Sequence, residues 1–168
     1  MNIKDESVRE LNRRAVSELG VVGATVIAIE ELSELKQAVT KFMRKKGDIV
    51  NLAEEIADVK IMEDWMRVAY SVPEVSLKFY TPRCKCLIRC LQELSKLEVI
   101  LEELLIDESR IEVLRSELGL RLASVSDACD NIRELLKSYD TDLESHIEEW
   151  FHGKMERISY RLENNELQ

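Results

Sequence analysis

The amino-acid sequence predicts an all-α protein, folded as an antiparallel helical bundle. Only five glycines and two prolines occur among its 168 residues, and aromatic residues make up 5% of them. Leu, Glu, Lys, Arg and Ile dominate instead, a composition typical of long helices rather than strands. Apolar residues also recur at steps of three and four, the period of a helix that packs on one face. A chain of this length can bury one continuous core.

Three helices are predicted in the first half of the chain. The first covers residues 4–18 and is amphipathic, and Gly20 and Gly23 then loosen or break the pattern. The second runs from about residue 24 to 44, with apolar residues spaced as in the seam of a bundle. The third runs from about residue 49 to 69. These helices supply the apolar faces for the first part of the core.

The segment KKGD at 45–48 separates the second and third helices. Gly47 suits a helix C-cap, because glycine tolerates the left-handed conformation found there. Asp48 suits the next N-cap, because its carboxylate can accept a hydrogen bond from a free backbone N–H. Such a short turn predicts that the two helices run antiparallel.

The second half begins with a linker and continues with more helices. Both prolines lie in SVPEVSLKFYTP, at 71–82, which marks this stretch as the clear internal linker. Further helices are predicted at about residues 86–105, 109–122, 125–139 and 142–162. We therefore divide the chain into a helical unit at 1–70, a linker at 71–86 and a second unit at 87–168, packed as one body.

One internal repeat relates the two halves. IEELSELKQ at 29–37 aligns without gaps with LQELSKLEV at 91–99, and the same offset pairs Ile49, Leu52 and Glu55 with Ile111, Leu114 and Glu117. In this alignment Glu31 matches Glu93, but Lys96 replaces Glu34 and Leu120 replaces Asp58. The second half reads as a degenerate copy that kept the packing and lost charges. Coincidence among Leu- and Glu-rich helices is the alternative.

Charge and termini limit the class of partner and the compartment. The formal net charge of −9 argues against binding a nucleic-acid polymer, which needs a basic surface. A small anionic substrate would need bridging cations. The N-terminal sequence MNIKDESVRELNRR is charged where a signal peptide is apolar, and no apolar run approaches the roughly 20 residues that span a bilayer. We expect a cytoplasmic protein with no membrane partner.

Four acidic residues form the candidate site: Glu31 and Glu34 on the second predicted helix, Glu55 and Asp58 on the third. Residues three apart project about 60° apart around a helix axis, so each helix presents one carboxylate pair. Glu31 borders the apolar stripe of its helix, and Glu55 falls within the apolar face of the next. Carboxylates gathered there would repel one another unless a cation bound them.

The ligand type points to the metal. All four side chains offer hard oxygen ligands, which favour Mg²⁺, or Mn²⁺, over Zn²⁺. Mg²⁺ usually bridges a few carboxylates to substrate phosphates and activates water. The pattern therefore predicts a metal centre for hydrolysis of a phosphorylated substrate.

The segments AIEELSELKQAV and NLAEEIADVKIMED resemble the MazG-like, all-α nucleoside triphosphate pyrophosphohydrolases, whose signature is ExxE, a spacer and ExxD. The resemblance covers roughly residues 10–68 and is greatest to small phage and prophage members. It implies that Glu31, Glu34, Glu55 and Asp58 are Mg²⁺ ligands and catalytic residues. It also implies hydrolysis of (d)NTPs to the monophosphate and pyrophosphate, with Glu30 in the outer shell or at a second metal.

Other assignments stay open at this stage. The basic residues Lys41, Arg44, Lys45 and Lys46 could contact substrate phosphates, or could be a solvated helix end favoured by the helix dipole. The substrate could be another phosphoanhydride, such as dUTP, dCTP or phosphoribosyl-ATP, and a non-catalytic helical module is a further alternative. Helical pairs with two apolar faces usually associate, so we expect a homodimer.

Overall fold

The computed structural model describes residues 5–140, 142–164 and 166, and all regular structure within them is helical. Five α-helices follow one another: α1 (Asp5–Met43), α2 (Ile49–Ala69), α3 (Cys86–Ile106), α4 (Ile111–Leu136) and α5 (Leu143–Glu163). Buried residues from all five form one apolar cluster. The predicted all-α helical bundle is confirmed.

Helix α1 contains the break that the sequence predicts at Gly20. The backbone there has φ 70° and ψ 165°, a conformation essentially restricted to glycine because a Cβ atom would clash. Helical structure resumes at once and continues through Gly23 to Met43. The predicted break at Gly20 is confirmed: α1 consists of two helical segments, 5–19 and 21–43, that meet at this kink without an intervening loop.

The turn between α1 and α2 confirms one predicted cap and corrects the other. Asp48 accepts a hydrogen bond from the backbone N–H of Asn51 at 2.6 Å, as an N-cap should. The left-handed residue, however, is Lys45, with φ 56°. Gly47 serves close packing instead, because a Cβ there would lie 3.0 Å from the backbone nitrogen of Phe42.

Helices α1 and α2 form an antiparallel hairpin. Hydroxyl oxygens of Thr25, midway along α1, and Tyr70, just after α2, lie 2.8 Å apart. Further along α1, Glu31 and Glu34 lie close to Glu55, which comes earlier in α2. The two helices therefore run in opposite directions from Thr25 onward, with the carboxylate pairs at 31/34 and 55/58 on neighbouring helices. Before the kink at Gly20 the order of contacts reverses, since the Trp65 indole N–H donates to Asn12 Oδ1 at 3.0 Å.

The second half differs from its predicted element list at one place. The sequence predicts two helices here, at 109–122 and 125–139. This prediction is wrong, because α4 runs unbroken from Ile111 to Leu136. Ala123, Ser124 and Val125 are all buried inside it. No proline interrupts this stretch, and its neighbours cover both sides of the helix, so the local loss of helical periodicity does not end it.

The helix boundaries follow the internal repeat. Helix α4 begins at Ile111, the counterpart of the first residue of α2, and α3 ends at Ile106, one residue after the counterpart of Met43, the last residue of α1. Paired positions are also buried on both sides: Ala28 and Cys90, Leu32 and Leu94, Leu35 and Leu97, Val39 and Leu101, Leu52 and Leu114, Ile56 and Leu118. The repeated apolar pattern thus corresponds to equivalent buried positions in two helix pairs.

Helix α5 completes the bundle and packs against α1 and α2. Its residues Leu143, Ile147, Met155 and Ile158 are buried. Between α2 and α3, residues 72–82 cross the surface without regular structure, and the Phe79 N–H donates to Asp127 Oδ1 of α4 at 3.2 Å. Among the helices described, none has the length and apolarity that crossing a membrane requires.

Candidate metal centre

Three of the four predicted acids converge between α1 and α2. Carboxylate oxygens of Glu31, Glu34 and Glu55 lie within 4.8 Å of one another, close enough to share one cation. Glu31 and Glu55 are partly buried, and Glu34 is exposed. The helical spacing thus predicts correctly that these side chains meet, with Glu34 at the solvent side of the group.

Asp58 joins the group through a residue that the motif does not include. Lys154 of α5 lies 2.6 Å from Asp58 Oδ2 and 3.0 Å from Glu31 Oε1, measured from its Nζ atom. The Asp58 and Glu31 side chains are 12% and 13% exposed, so this bridge is largely shielded from water. The Lys154 ammonium therefore contacts two of the four carboxylates.

Three carboxylate oxygens of the group are buried without a hydrogen-bond partner. They are Glu31 Oε2, Glu55 Oε2 and Asp58 Oδ1. The other oxygen of Glu55 accepts a hydrogen bond from the Asn51 side-chain amide at 3.1 Å. Buried carboxylate oxygens without partners are costly. The unpartnered atoms belong to different side chains, and one cation could satisfy several of them.

The surroundings shift the protonation of these groups. Burial, together with the neighbouring charges of Glu34, Asp58 and Glu31, raises the pKa of Glu55 to about 7. Burial also raises the pKa of Glu31, although the Lys154 ammonium opposes this shift. Burial lowers the pKa of Lys154, but its hydrogen bond to Asp58 and the charges of both carboxylates raise it by more. Proximity to further acids therefore disfavours ionised Glu55.

These residues fit a divalent cation such as Mg²⁺ or Mn²⁺. The available donors are carboxylate oxygens from two facing helices, which is an established way to build a metal site in a bundle. A bound cation would satisfy the unpartnered oxygens and offset the mutual repulsion of the acids. Glu31, Glu34 and Glu55 are the residues that would hold it, with Asp58 beside them.

The predicted substrate-side residues lie around this centre but not within it. Glu30, Lys41, Arg44 and Lys46 are all exposed. Lys41 lies two helical turns beyond Glu34, about 10 Å further along α1 at the standard rise per residue. Arg44 and Lys46 follow in the turn. The structure thus brings the four carboxylates together and leaves the basic residues at the end of the hairpin.

Two clefts lie away from the acids. One of about 590 Å³ is bounded by the start of α1, by α2, α4 and α5 and by the linker, and one of about 710 Å³ by the linker, α3 and α4. None of the four carboxylates lines either cleft. The acids are instead covered in part by α5, through Lys154.

Sequence reasoning missed Lys154 and Asn51. Lys154 is one basic residue of a highly charged helix, 123 positions from Glu31, and nothing in its local sequence marks it. Asn51 carries a weak signal, because it lies four residues before Glu55, a spacing that brings side chains together on a helix. Only the packing of α5 on the hairpin reveals the first contact.

No protein-family model, curated protein or solved structure matches the chain. The MazG-like assignment therefore depends on the sequence motif alone and stays a prediction.

Proposed function

We propose that the protein is a Mg²⁺-dependent nucleoside triphosphate pyrophosphohydrolase of the MazG-like type, with Mn²⁺ as a substitute metal. One observation carries the proposal: carboxylates of an ExxE and an ExxD motif meet on facing helices, and three of their buried oxygens have no partner. Mg²⁺ sites of this kind act on phosphates.

In the proposed reaction, water adds to the α-phosphorus of a (d)NTP, the bond to the oxygen that bridges the α- and β-phosphorus breaks, and pyrophosphate leaves with release of a proton. When bound, Mg²⁺ supplies positive charge for the phosphate oxygens and acidifies water. Glu31, Glu34 and Glu55 would hold the metal, and Asn51 orients Glu55 through a hydrogen bond to its Oε1 atom. The exposed Lys41, Arg44 and Lys46 favour the approach of the triphosphate.

A homodimer is part of this proposal. In one chain the carboxylates line neither the cleft of about 590 Å³ nor that of about 710 Å³, whereas substrate sites are usually concave. A second copy packed on the hairpin would add a wall for base and sugar.

A second candidate function is a non-catalytic helical module. The bridge from Lys154 to Glu31 and Asp58 favours it, because an ammonium already neutralises part of the acidic charge. Under this alternative the acids stabilise the contact between α5 and the hairpin and bind no metal.

The test is hydrolysis of a nucleotide panel with Mg²⁺, following pyrophosphate and the monophosphate. The panel includes dUTP, dCTP and phosphoribosyl-ATP beside the common (d)NTPs. We expect Glu55→Gln to lose roughly 100-fold or more in rate, since it removes a metal-binding charge. Glu117→Gln is the matched control at the equivalent position of the second helix pair, and it should retain full activity.

Three results would contradict the proposal: orthophosphate as the primary product, full activity without a divalent metal, or full activity of Glu55→Gln. Failure of every nucleotide in the panel to react, together with failure to bind metal, would favour the non-catalytic module.

A further inference from the structure

The contact of Lys154 with two of the four acids is the feature of the site that the motif does not explain. Its ammonium contacts one carboxylate oxygen of Glu31 and one of Asp58. The second oxygen of each carboxylate is buried and has no partner. Each of these carboxylates therefore has only one of its two oxygens neutralised by a hydrogen bond.

A lysine ammonium and a divalent cation would compete for the same negatively charged carboxylates. Both bind carboxylates by electrostatic attraction, and their own repulsion disfavours both being held at one site. The contact is partly shielded from solvent, since the Lys154 side chain is 25% exposed. Screening by water is consequently weaker than for an ordinary surface pair.

The backbone of Lys154 is fixed, whereas its side chain can move. Met155 and Ile158 are buried on the same helix and anchor α5 to the bundle. The lysine side chain has a flexible stem of four carbons and can swing from the carboxylates to solvent without a shift of the helix. Displacement of the ammonium therefore requires a change of rotamer only.

We propose that Lys154 is an intramolecular competitor of the divalent cation. Its ammonium neutralises the Glu31 and Asp58 pair in the metal-free protein and is displaced when the metal binds. This inference rests on the proposed function, because it takes the acids to be a metal site. It adds that the chain limits its own metal affinity through α5.

The first test is calorimetric titration of Mn²⁺ into the wild-type protein and Lys154→Met. Removal of one positive charge that contacts two metal-binding carboxylates should tighten Mn²⁺ binding about tenfold. Lys96→Met is the matched control, since Lys96 also pairs with a buried glutamate, Glu93, at 2.8 Å but lies outside the site. Its Mn²⁺ affinity should equal that of the wild type.

The second test uses the wild-type chain and is independent of the folding of any variant. Lysines are labelled with an amine-reactive reagent with and without Mn²⁺, and modification of Lys154 is followed by mass spectrometry. We expect Lys154 to react faster when Mn²⁺ is bound, because its ammonium is then released to solvent.

The outcomes separate the two proposals. If the wild type binds Mn²⁺ and Lys154→Met binds it with equal or weaker affinity, the competition is overturned and the metal site stands. The same holds if the wild type binds Mn²⁺ but the labelling of Lys154 does not change. Binding by Lys154→Met alone supports the competition. Failure of both proteins to bind Mn²⁺ overturns the metal site and the competition together.

Discussion

The helix pair α1/α2 and the helix pair α3/α4 bury equivalent apolar positions but differ in the charges beside them. In the first pair, Lys154 contacts Glu31 and Asp58, and the carboxylates of Glu34 and Glu55 lie close to that of Glu31. In the second, Glu93 lies 2.8 Å from Lys96, and Arg121 lies 3.1 Å from Glu117 and 3.9 Å from Glu93. The two carboxylates of the second pair thus contact two cationic side chains, which balance their charge.

The difference separates residues that stabilise the fold from residues that cost stability. Arg121 occupies the position equivalent to Val59, which is fully buried in the first pair. The second pair therefore replaces part of its core with a cation that neutralises its remaining acids. The first pair keeps unpartnered buried oxygens, a cost that is common at functional sites. The packing is shared, and the uncompensated charge is specific to the first pair.

The largest expected effect tests whether the packing really is shared. Leu35 and Leu97 are equivalent and both fully buried. We expect Leu35→Ala and Leu97→Ala to lower the free energy of unfolding by about 2–5 kcal/mol each, since each leaves a cavity in the core. Urea denaturation measures both. A near-neutral Leu97→Ala would show that the second pair does not contribute an equivalent core.

The next prediction concerns a substitution that gives the first helix pair the charge pattern of the second. Glu34→Lys places an ammonium three residues after Glu31, as Lys96 follows Glu93. We expect loss of Mn²⁺ binding and a fall in pyrophosphate release of roughly 100-fold or more, because the added cation repels the metal.

The reverse substitution, Lys96→Glu, is the control. It should create no Mn²⁺ site in the second pair, because the Arg121 guanidinium still contacts both Glu93 and Glu117 and repels a second cation. Retention of activity by Glu34→Lys would show that Glu34 is not part of the catalytic centre.

The smallest effect concerns stability against pH without metal. The pKa of Glu55 is raised from 4.5 to about 7, so the folded state holds this proton more tightly than the unfolded state. Its stabilising contribution is full below about pH 4.5 and is lost as the pH rises through 7. Glu55→Gln keeps a neutral side chain at every pH, so its stability relative to wild type should increase between pH 4.5 and 8.

Thermal unfolding in EDTA across this range checks the pH prediction. Burial raises the pKa of Glu63 to about 8, but Glu63 is present in both proteins and its contribution cancels in the difference. Glu117→Gln serves as the control for the loss of one carboxylate in the other pair. A stability difference between Glu55→Gln and wild type that does not change with pH would contradict the account of Glu55.

Local sequence signals predicted the parts of the structure that depend on near neighbours. The bounds of α2, the Asp48 cap and the convergence of Glu31, Glu34 and Glu55 all follow from helical spacing and a short turn. The MazG-like family assignment, the metal and the activity stay predictions.

Contacts between segments distant in the sequence determine the features that local sequence patterns do not predict. The apolar period weakens near Ser124, yet burial from several sides keeps α4 continuous. In the turn, Lys45 adopts the left-handed conformation and Gly47 packs closely against the end of α1, the reverse of the roles that glycine's flexibility predicts. Lys154 reaches Glu31 only through the packing of α5, which no local pattern records.

The most direct test of the central claim is anomalous diffraction from crystals grown with Mn²⁺ and a non-hydrolysable dNTP. We predict a manganese peak among the carboxylates of Glu31, Glu34 and Glu55, with none beside Glu93 and Glu117. Absence of a peak at the first group, or an equal peak at the second, would contradict the account.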